Sequence, residues 1–576
     1  MKDYLIKKVF RSFLFISILG ILSATLGMLV DGIVIKKLGQ ECVSAFGFST
    51  PLFILIAALA GIFSNGGTSC CSNYIGRGER DKIKLNFTVT CAGTLVVGIL
   101  VTAVCIPGCE TLARLLGAKG ELVGLTGEYI RGIGFGGIFI MLSQVVMIYV
   151  RTDNDSVLGF ISVVCMTITN VVLDIVMGLV LKWGLFGMGL ATSISYLVCL
   201  LVCLIHFFRK DNLLKFTRPS GGLEELKEVL LTGTPSALNR GCITIRGIIL
   251  NRRLLVLGGS IAVSALSVQN TVNQLLGAVT MGVGMTVVMM AGIFYGERDE
   301  SALGRTLKVS LRTGILLSAA VSVLTAVFAR PIVGLLLQAD EEGMALAVRC
   351  LRLFTLSLPL SLICVALLNF YQCTRNLFMA NFLCVCHGLV FVALYALALS
   401  PFLGVDGVWI SFFCAEATTL AAGAIVLRIR TKKMPKQIRD LLLLPEGFEP
   451  DQERMLNISI KNDMKYVMEL SERISEFCRK HTDDVEKIER LSLCIEEMVG
   501  NIVTHGFKDK KEHFIDIKII MAGEDIIFRI RDDGAAFNPL QAEISKEQYG
   551  ISIIRKMAKD MEYRNAIGLN NLTVTL

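Results

Sequence analysis

Long apolar stretches, separated by short charged loops, dominate the first three quarters of the chain. Residues 12–36, 45–70, 87–109 and 132–150 are nearly continuous apolar runs. A helix needs about 20 such residues to cross the roughly 30 Å hydrocarbon core of a bilayer, so each run reads as a span. Similar runs continue to about residue 428, after which charges become dense and no run could cross. Lys and Arg gather in the loops: Arg77, Arg80, Lys82 and Lys84; Arg209, Lys210 and Lys215; Arg428, Arg430, Lys432 and Lys433. That is how cytoplasmic loops are charged. Lys2, Lys7, Lys8 and Arg11 place the N-terminus on the same face, and the tail places the C-terminus there too. No small-residue cleavage site follows the first run, so it reads as a retained span.

The spans come in two sets. NYIGRGERDKIKLN (73–86) returns as IFYGERDESALGRT (293–306), LARLLGAKGE (112–121) as VGLLLQADEE (333–342), and GMGLATSIS (187–195) as GVDGVWISF (404–412). The offset is about 220 residues, a period far longer than a solenoid repeat. Each unit holds about six runs, and an even number preserves orientation, so the halves are parallel repeats. Two such bundles that rock around a central cleft give alternating access. The expected domains are a first lobe over 1–215, a second over 216–430, a basic linker over 431–450 and a soluble domain over 451–576.

Only 18% of the 576 residues are charged, against about 25% in soluble proteins. The net charge of +8 sits in the loops and gives no nucleic-acid face. The 18 cysteines lie mostly in apolar runs, where free Cys packs as a small hydrophobe. Cys384, Cys386 and His387 sit together in a span but lack the second ligand pair of usual zinc spacings.

Ionisable groups within hydrocarbon are costly and are candidate functional residues. Asp31 lies late in the first span and Asp174 in the fifth. Asn170 is one turn before Asp174, on the same face. Thr192 opens the sixth span. Two carboxylates with an amide and a hydroxyl offer oxygen ligands to Na⁺. They can equally carry a proton, because burial disfavours the charged carboxylate. In the seventh span Arg240 and Arg246 stand out. If that span starts near Pro235, Arg246 lies about 16 Å deep at 1.5 Å per residue. It could meet an anionic substrate group, or a carboxylate such as Asp31 or Glu416.

VDGIVIKKLGQECVSAFG, the Asn-x-x-x-Asp of Asn170 and Asp174, and Ala191–Thr192 after a Gly-rich turn resemble the multidrug and toxic compound extrusion (MATE) family, especially its DinF-like branch. The resemblance covers residues 5–430. It implies twelve helices in two six-helix lobes and H⁺- or Na⁺-coupled export of small organic compounds, often cationic, from the bacterial cytoplasmic (inner) membrane. Asp31, Asn170, Asp174 and Thr192 are the positions that carry it. Arg246 keeps a lipid-intermediate flippase open as an alternative.

Beyond the basic stretch 429–445, which suits anionic membrane lipids, the period changes. NISIKND, FIDIKIIM and DIIFRIRDD read as strands. KYVMELSERISEFCRKH, VEKIERLSLCIEEMVGNIVTHG and GISIIRKMAKDM read as amphipathic helices, and MEYRNAIGLNNLTVTL as a closing hairpin. Glu497 and Asn501 share one helix face. Asp532 ends a strand before the Asp533–Gly534 turn. Gly550 opens a helix, whose free N–H groups favour phosphate. No G-x-x-x-x-G-K-[ST] loop is present. EEMVGNIVTHGF, RIRDDGAAFNP and QYGISIIRKMAKDMEY resemble the N-box, adenine-binding segment and glycine box of the GHKL ATPase superfamily, specifically its RsbW-like anti-sigma serine kinases. The resemblance implies an α/β sandwich that binds ATP. Asn501 would hold Mg²⁺, Glu497 would be the base, Asp532 would accept from the adenine amino group, and Gly534 and Gly550 would line the nucleotide. A soluble anti-anti-sigma-like (STAS) partner is implied, as is an alternative in which the membrane part is a sensor controlling the kinase. His505 occupies a common position without an assigned role. Gln548 stands where the glycine box usually has its first Gly.

Overall fold

The computed structural model describes residues 3–209, 212–218, 220–337, 340–449, 452–509, 511–541 and 549–576. Among them, nine helices are long and apolar enough to cross a bilayer, and two further helix pairs, bent by 50° and 45°, pass as broken spans. One of the nine is Gly222–Gly296, with 75 residues. At 1.5 Å per residue it would extend about 110 Å, more than three bilayer cores. Its backbone leaves the helical region at Gly258 (φ −142°, ψ 18°) and Gly259 (φ 59°, ψ −153°). It is therefore two spans joined at a tight kink, and the total is twelve.

In chain order the first lobe has span 1 (Tyr4–Leu38), span 2 (Gln40–Arg77), span 3 (Arg80–Cys105), span 4 (Leu122–Phe135 with Gly137–Thr152), span 5 (Ser156–Val180) and span 6 (Gly184–Phe208). The second has spans 7 and 8 on either side of the kink, span 9 (Glu300–Val327), span 10 (Glu341–Thr355 with Leu358–Cys373), span 11 (Leu377–Leu403) and span 12 (Val405–Thr431). Two sequence expectations shift. Pro235 lies inside span 7, which starts at Gly222, so the depth reckoned for Arg246 from Pro235 does not hold. Thr192 lies in the middle of the helix that begins at Gly184 and does not open it.

Chain contacts divide the protein into two units. The larger holds Ser12–Glu297 and Thr306–Leu443; the smaller holds Met1–Arg11, Arg298–Arg305 and Leu444–Leu576. In the larger unit the halves meet through small residues, which let backbones approach closely. A Cβ at Gly66 would lie 2.1 Å from the Val229 carbonyl oxygen, and one at Gly233 would lie 2.1 Å from that of Ile62. Both halves also carry a π-helical segment at corresponding places, Asp174–Val180 and Cys386–Val390. Such widened turns recur at functional positions in helices.

The smaller unit is built on a five-stranded antiparallel sheet: β1 (Met455–Lys461), β2 (Phe514–Ala522), β3 (Asp525–Asp532), β4 (Asp560–Ala566) and β5 (Leu569–Thr575), in the order β1-β2-β3-β5-β4. Helices α1 (Met464–Arg479), α2 (Val485–Asn501) and α3 (Tyr549–Met557) complete it. Asp463 and Asp484 cap α1 and α2, accepting from the Lys465 and Lys487 amides; such caps satisfy donors that the first turn leaves unpaired. The expected last helix is shorter than its apolar pattern, ending at Met557 because Asp560 already pairs with Thr575. Alternation on the strands sets the core. Ile515, Ile517, Ile519, Ile526, Phe528 and Ile530 share one hydrophobic cluster with α1, α2 and α3.

The intervening residues of β2 and β3 meet the two short segments of the same unit. The Tyr4 ring lies 4.6 Å from Phe514, and Lys8 pairs with Asp533. Asp299 is buried among three cations: Lys518 Nζ at 3.2 Å, Arg531 Nη2 at 3.3 Å and Arg529 Nη1 at 3.7 Å. Its Oδ1 also accepts from the Ala302 amide. Burial raises its pKa, but the three cations outweigh burial and hold the carboxyl well below the usual range. Removing one partner of a buried pair leaves uncompensated charge and costs about 3–5 kcal/mol. Asp299→Ala is accordingly expected to destabilise this unit by that order, seen as a lowered melting transition of the full chain. The stabilisation is complete above the ordinary Asp value of about 3.9 and is lost as pH falls below it toward the lowered folded value. The variant's melting should show a shallower acid limb than the wild type's.

Candidate functional sites

In the larger unit, spans 1, 5 and 6 converge on one amide. Asn170 Nδ2 donates to Asp31 Oδ1 and to Asp174 Oδ2, both at 2.7 Å. Ser195 Oγ, from span 6, donates to Asn170 Oδ1 at 3.1 Å. Asp174 is 1% exposed and Asn170 8%. Asp174 opens the π-helical segment of span 5. Its Oδ1 is buried without a hydrogen-bond donor among the described residues. Two carboxylates on one amide, in low dielectric, cannot both remain charged without a proton or cation between them.

The other residues expected here are arranged differently. Thr192 Oγ1 donates to the Met188 carbonyl at 3.1 Å and stands beside the buried Tyr129 phenol. Its hydroxyl is not hydrogen-bonded to either carboxylate; Ser195, three residues on, is the span-6 hydroxyl that meets Asn170. Tyr129 and Tyr196 border the pair, within the field of Asp31. Arg246 does not meet Asp31. It lies 5.4 Å over the Phe412 ring and in the field of Glu416. Arg240 is exposed and near Tyr196.

In the smaller unit, the carboxylate of Asp532 is 4% exposed at the end of β3. Its Oδ1 accepts from the Gly534 amide and from Asn570 Nδ2, both at 2.8 Å. Asn570 is itself held by Tyr563 and Asn565. Burial pushes the Asp532 carboxyl up, while those two donors act to lower it. Gly534 packs on the end of α2's extension: a Cβ there would lie 2.7 Å from the Gly506 oxygen, and the Ala535 amide donates to that same oxygen. The turn is thus fixed against the segment Ile502–Gly506 that continues α2 past Asn501. Asn501 is half-buried at the end of α2 and Glu497 exposed one turn before it, with His505 exposed beyond. Gly550 falls in the first turn of α3. Gln548 lies outside the described residues. Sequence reading missed His513, whose ring is buried between Asp533 (3.0 Å) and Asp509 (2.6 Å) and stacks on Phe507 at 4.3 Å.

The MatE family model matches residues 17–176 and again 235–395, so the two matches start 218 residues apart and together cover more than half the chain. The chain belongs to the MatE family. Residues 460–576 match the histidine kinase-like ATPase domain. The MatE region is similar to the multidrug export protein MepA of Staphylococcus saprophyticus, 24% identical over 399 residues, covering 68% of this chain and 87% of that protein. The Staphylococcus aureus MRSA252 protein of the same name is 23% identical over 400 residues, with the same coverage. Among solved structures, an outward-facing multidrug resistance MATE transporter superposes with a TM-score of 0.70 at 24% identity, over 74% of this chain and 96% of that one. A Pyrococcus furiosus transporter of the MOP superfamily, described as having a binding pocket of reversed polarity, gives 0.69 at 25% identity, over 75% and 97%. The protein is thus a multi-pass MATE-type membrane transporter carrying an ATPase-like domain.

Proposed function

We propose that the protein is an antiporter of the bacterial cytoplasmic membrane that exports organic compounds by alternating access, driven by H⁺ or Na⁺. The observation that carries this is the Asp31–Asn170–Asp174 bridge across spans 1 and 5, with Asp174 Oδ1 lacking a donor. A proton or Na⁺ cancels one of the two negative charges of the pair, and its departure leaves two like charges that favour separating the two helices. Similarity to the MepA proteins supports an organic, multidrug substrate class. Arg246 is engaged by Phe412 and Glu416, which weighs against an anionic lipid headgroup as substrate. The positive bias of the short loops supports a cytoplasmic position for both termini.

The C-terminal domain is read as an ATP-binding regulatory module with the residues of an RsbW-like serine kinase. The fixed Asp532 carboxylate and the Gly534 turn suit adenine: Oδ1 is committed within the protein and Oδ2 remains to accept from the amino group. Asn501 would hold Mg²⁺, Glu497 would take a proton from a serine hydroxyl of a STAS-like partner, and Gly550 would lie by the phosphates. ATP, when bound with Mg²⁺, supplies the transferable phosphoryl group. Reconstituted protein given an organic cation should dissipate an imposed H⁺ or Na⁺ gradient; export that continues undiminished with both gradients collapsed would sink the coupling assignment.

A further inference from the structure

The second lobe holds a polar cluster that the coupling site does not use. Cys364 of span 10, His387 of span 11 and Glu416 of span 12 are all buried, and their Sγ, Nδ1 and carboxylate oxygen lie within 4.8 Å of one another. The pairing differs from the one suggested by sequence proximity: Cys384 turns away to the Pro235 carbonyl. His387 Nδ1 sits 2.7 Å from both oxygens of Glu416, between them rather than on one. Cys364 Sγ lies 4.0 Å from the Glu416 backbone oxygen, the outer limit of a sulfur hydrogen bond, and beside the Glu416 carboxylate. The thiol is 1% exposed and held only by long contacts, beside an imidazole and a carboxylate. His387 is aimed inward by the π-helical segment Cys386–Val390.

We infer that Cys364, His387 and Glu416 form a binding site for a borderline-soft divalent cation of the Zn²⁺ class. Thiolate, imidazole and carboxylate are the ligands that Zn²⁺ takes, at about 2.3, 2.0–2.1 and 2.0–2.2 Å. A hard cation such as Na⁺ or Mg²⁺ would draw nothing from the sulfur. Tetrahedral coordination at those lengths puts donor atoms roughly 3.3–3.6 Å apart, so His387 and Glu416 part slightly and Cys364 moves in. Binding releases the thiol proton, so affinity rises with pH. Arg246 lies in the field of Glu416 and opposes added positive charge, which makes the site weaker than a closed structural zinc site. The three ligands come from three spans, so an occupied site ties spans 10, 11 and 12 together and restrains the second lobe. This inference is independent of which ion drives export.

The test uses the full-length protein in detergent, with Zn²⁺ and Co²⁺ as probes. Because the chain has 18 cysteines, the reading is the difference between wild type and Cys364→Ser, a nearly isosteric change. The expected result is one more equivalent of Zn²⁺ on the wild type than on Cys364→Ser or His387→Gln. A thiolate-to-Co²⁺ charge-transfer band should appear in the wild type alone, with a Zn²⁺-induced rise in Tm absent from both variants. Cys364→Ser should keep the metal-free Tm, so lost binding is not lost folding. Equal metal content in wild type and Cys364→Ser, or no Co²⁺–thiolate band in the wild type, would overturn the inference.

Discussion

Asp174→Asn is expected to reduce gradient-driven export to the level of empty vesicles, with expression and Tm retained. The Asn side chain keeps the volume and one oxygen of Asp174, so span 5 still packs. It removes one of the two negative charges facing Asn170 and, with it, the group that takes and gives up the ion. Truncating one partner of a buried charge contact costs about 2–5 kcal/mol of binding, or about 30- to 5,000-fold in ion affinity. Thr192→Val should lose far less by comparison, because the Thr192 hydroxyl meets the Met188 carbonyl and the Tyr129 phenol rather than the carboxylates. Transport by vesicles containing each variant, at matched protein density, separates the two. An Asp174→Asn protein that exports at the wild-type rate contradicts the site.

The second large effect is expected at the ATPase-like domain. Asp532→Asn should weaken Mg·ATP binding to the full-length protein by about 10- to 150-fold, from the 1.5–3 kcal/mol of a hydrogen bond to a charged group. The substitution is chosen for its geometry. An Asn oxygen in the place of Oδ1 still accepts from the Gly534 amide and Asn570, so the turn persists. The amide nitrogen in the place of Oδ2 presents a donor to the adenine amino group, itself a donor. Calorimetry on wild type and variant gives the ratio directly. Undiminished binding by Asp532→Asn would remove Asp532 from the adenine site.

What the sequence revealed depended on whether the residues concerned share an element. Asn170 and Asp174 were legible because four residues is one helical turn, and Glu497 with Asn501 for the same reason. The strands over 514–532 were legible from strict alternation. Ser195 was not, since a serine within an apolar helix carries no signal until span 6 is seen against span 5. Tyr129 and Tyr196 were hidden for the same reason. The split of Gly222–Gly296 into two spans was expected from length, but its kink at Gly258–Gly259 was not, because Gly is frequent throughout these spans. Cys364, His387 and Glu416 come from three spans, and only the fold brings them together. Cys384 and Cys386 stand beside His387 in the sequence, but the fold sets Cys364 and Glu416 against its ring instead. Asp299 stands in a charged GERDE loop that repeats GERD of the first half, and nothing in that repeat marks the second copy as the one that would be buried among Lys518, Arg529 and Arg531.

The central claim is that export is paid for by an ion bound between Asp31 and Asp174. It is tested most directly by ion flux in proteoliposomes holding the wild-type protein, with a pH-sensitive dye inside one set and a Na⁺-sensitive dye inside another. Adding an organic cation on the side from which it is exported should start counterflow of H⁺ or Na⁺, and the flux should vanish in Asp174→Asn. Organic-cation movement with no counterflow of either ion, or counterflow that survives in Asp174→Asn, would contradict it.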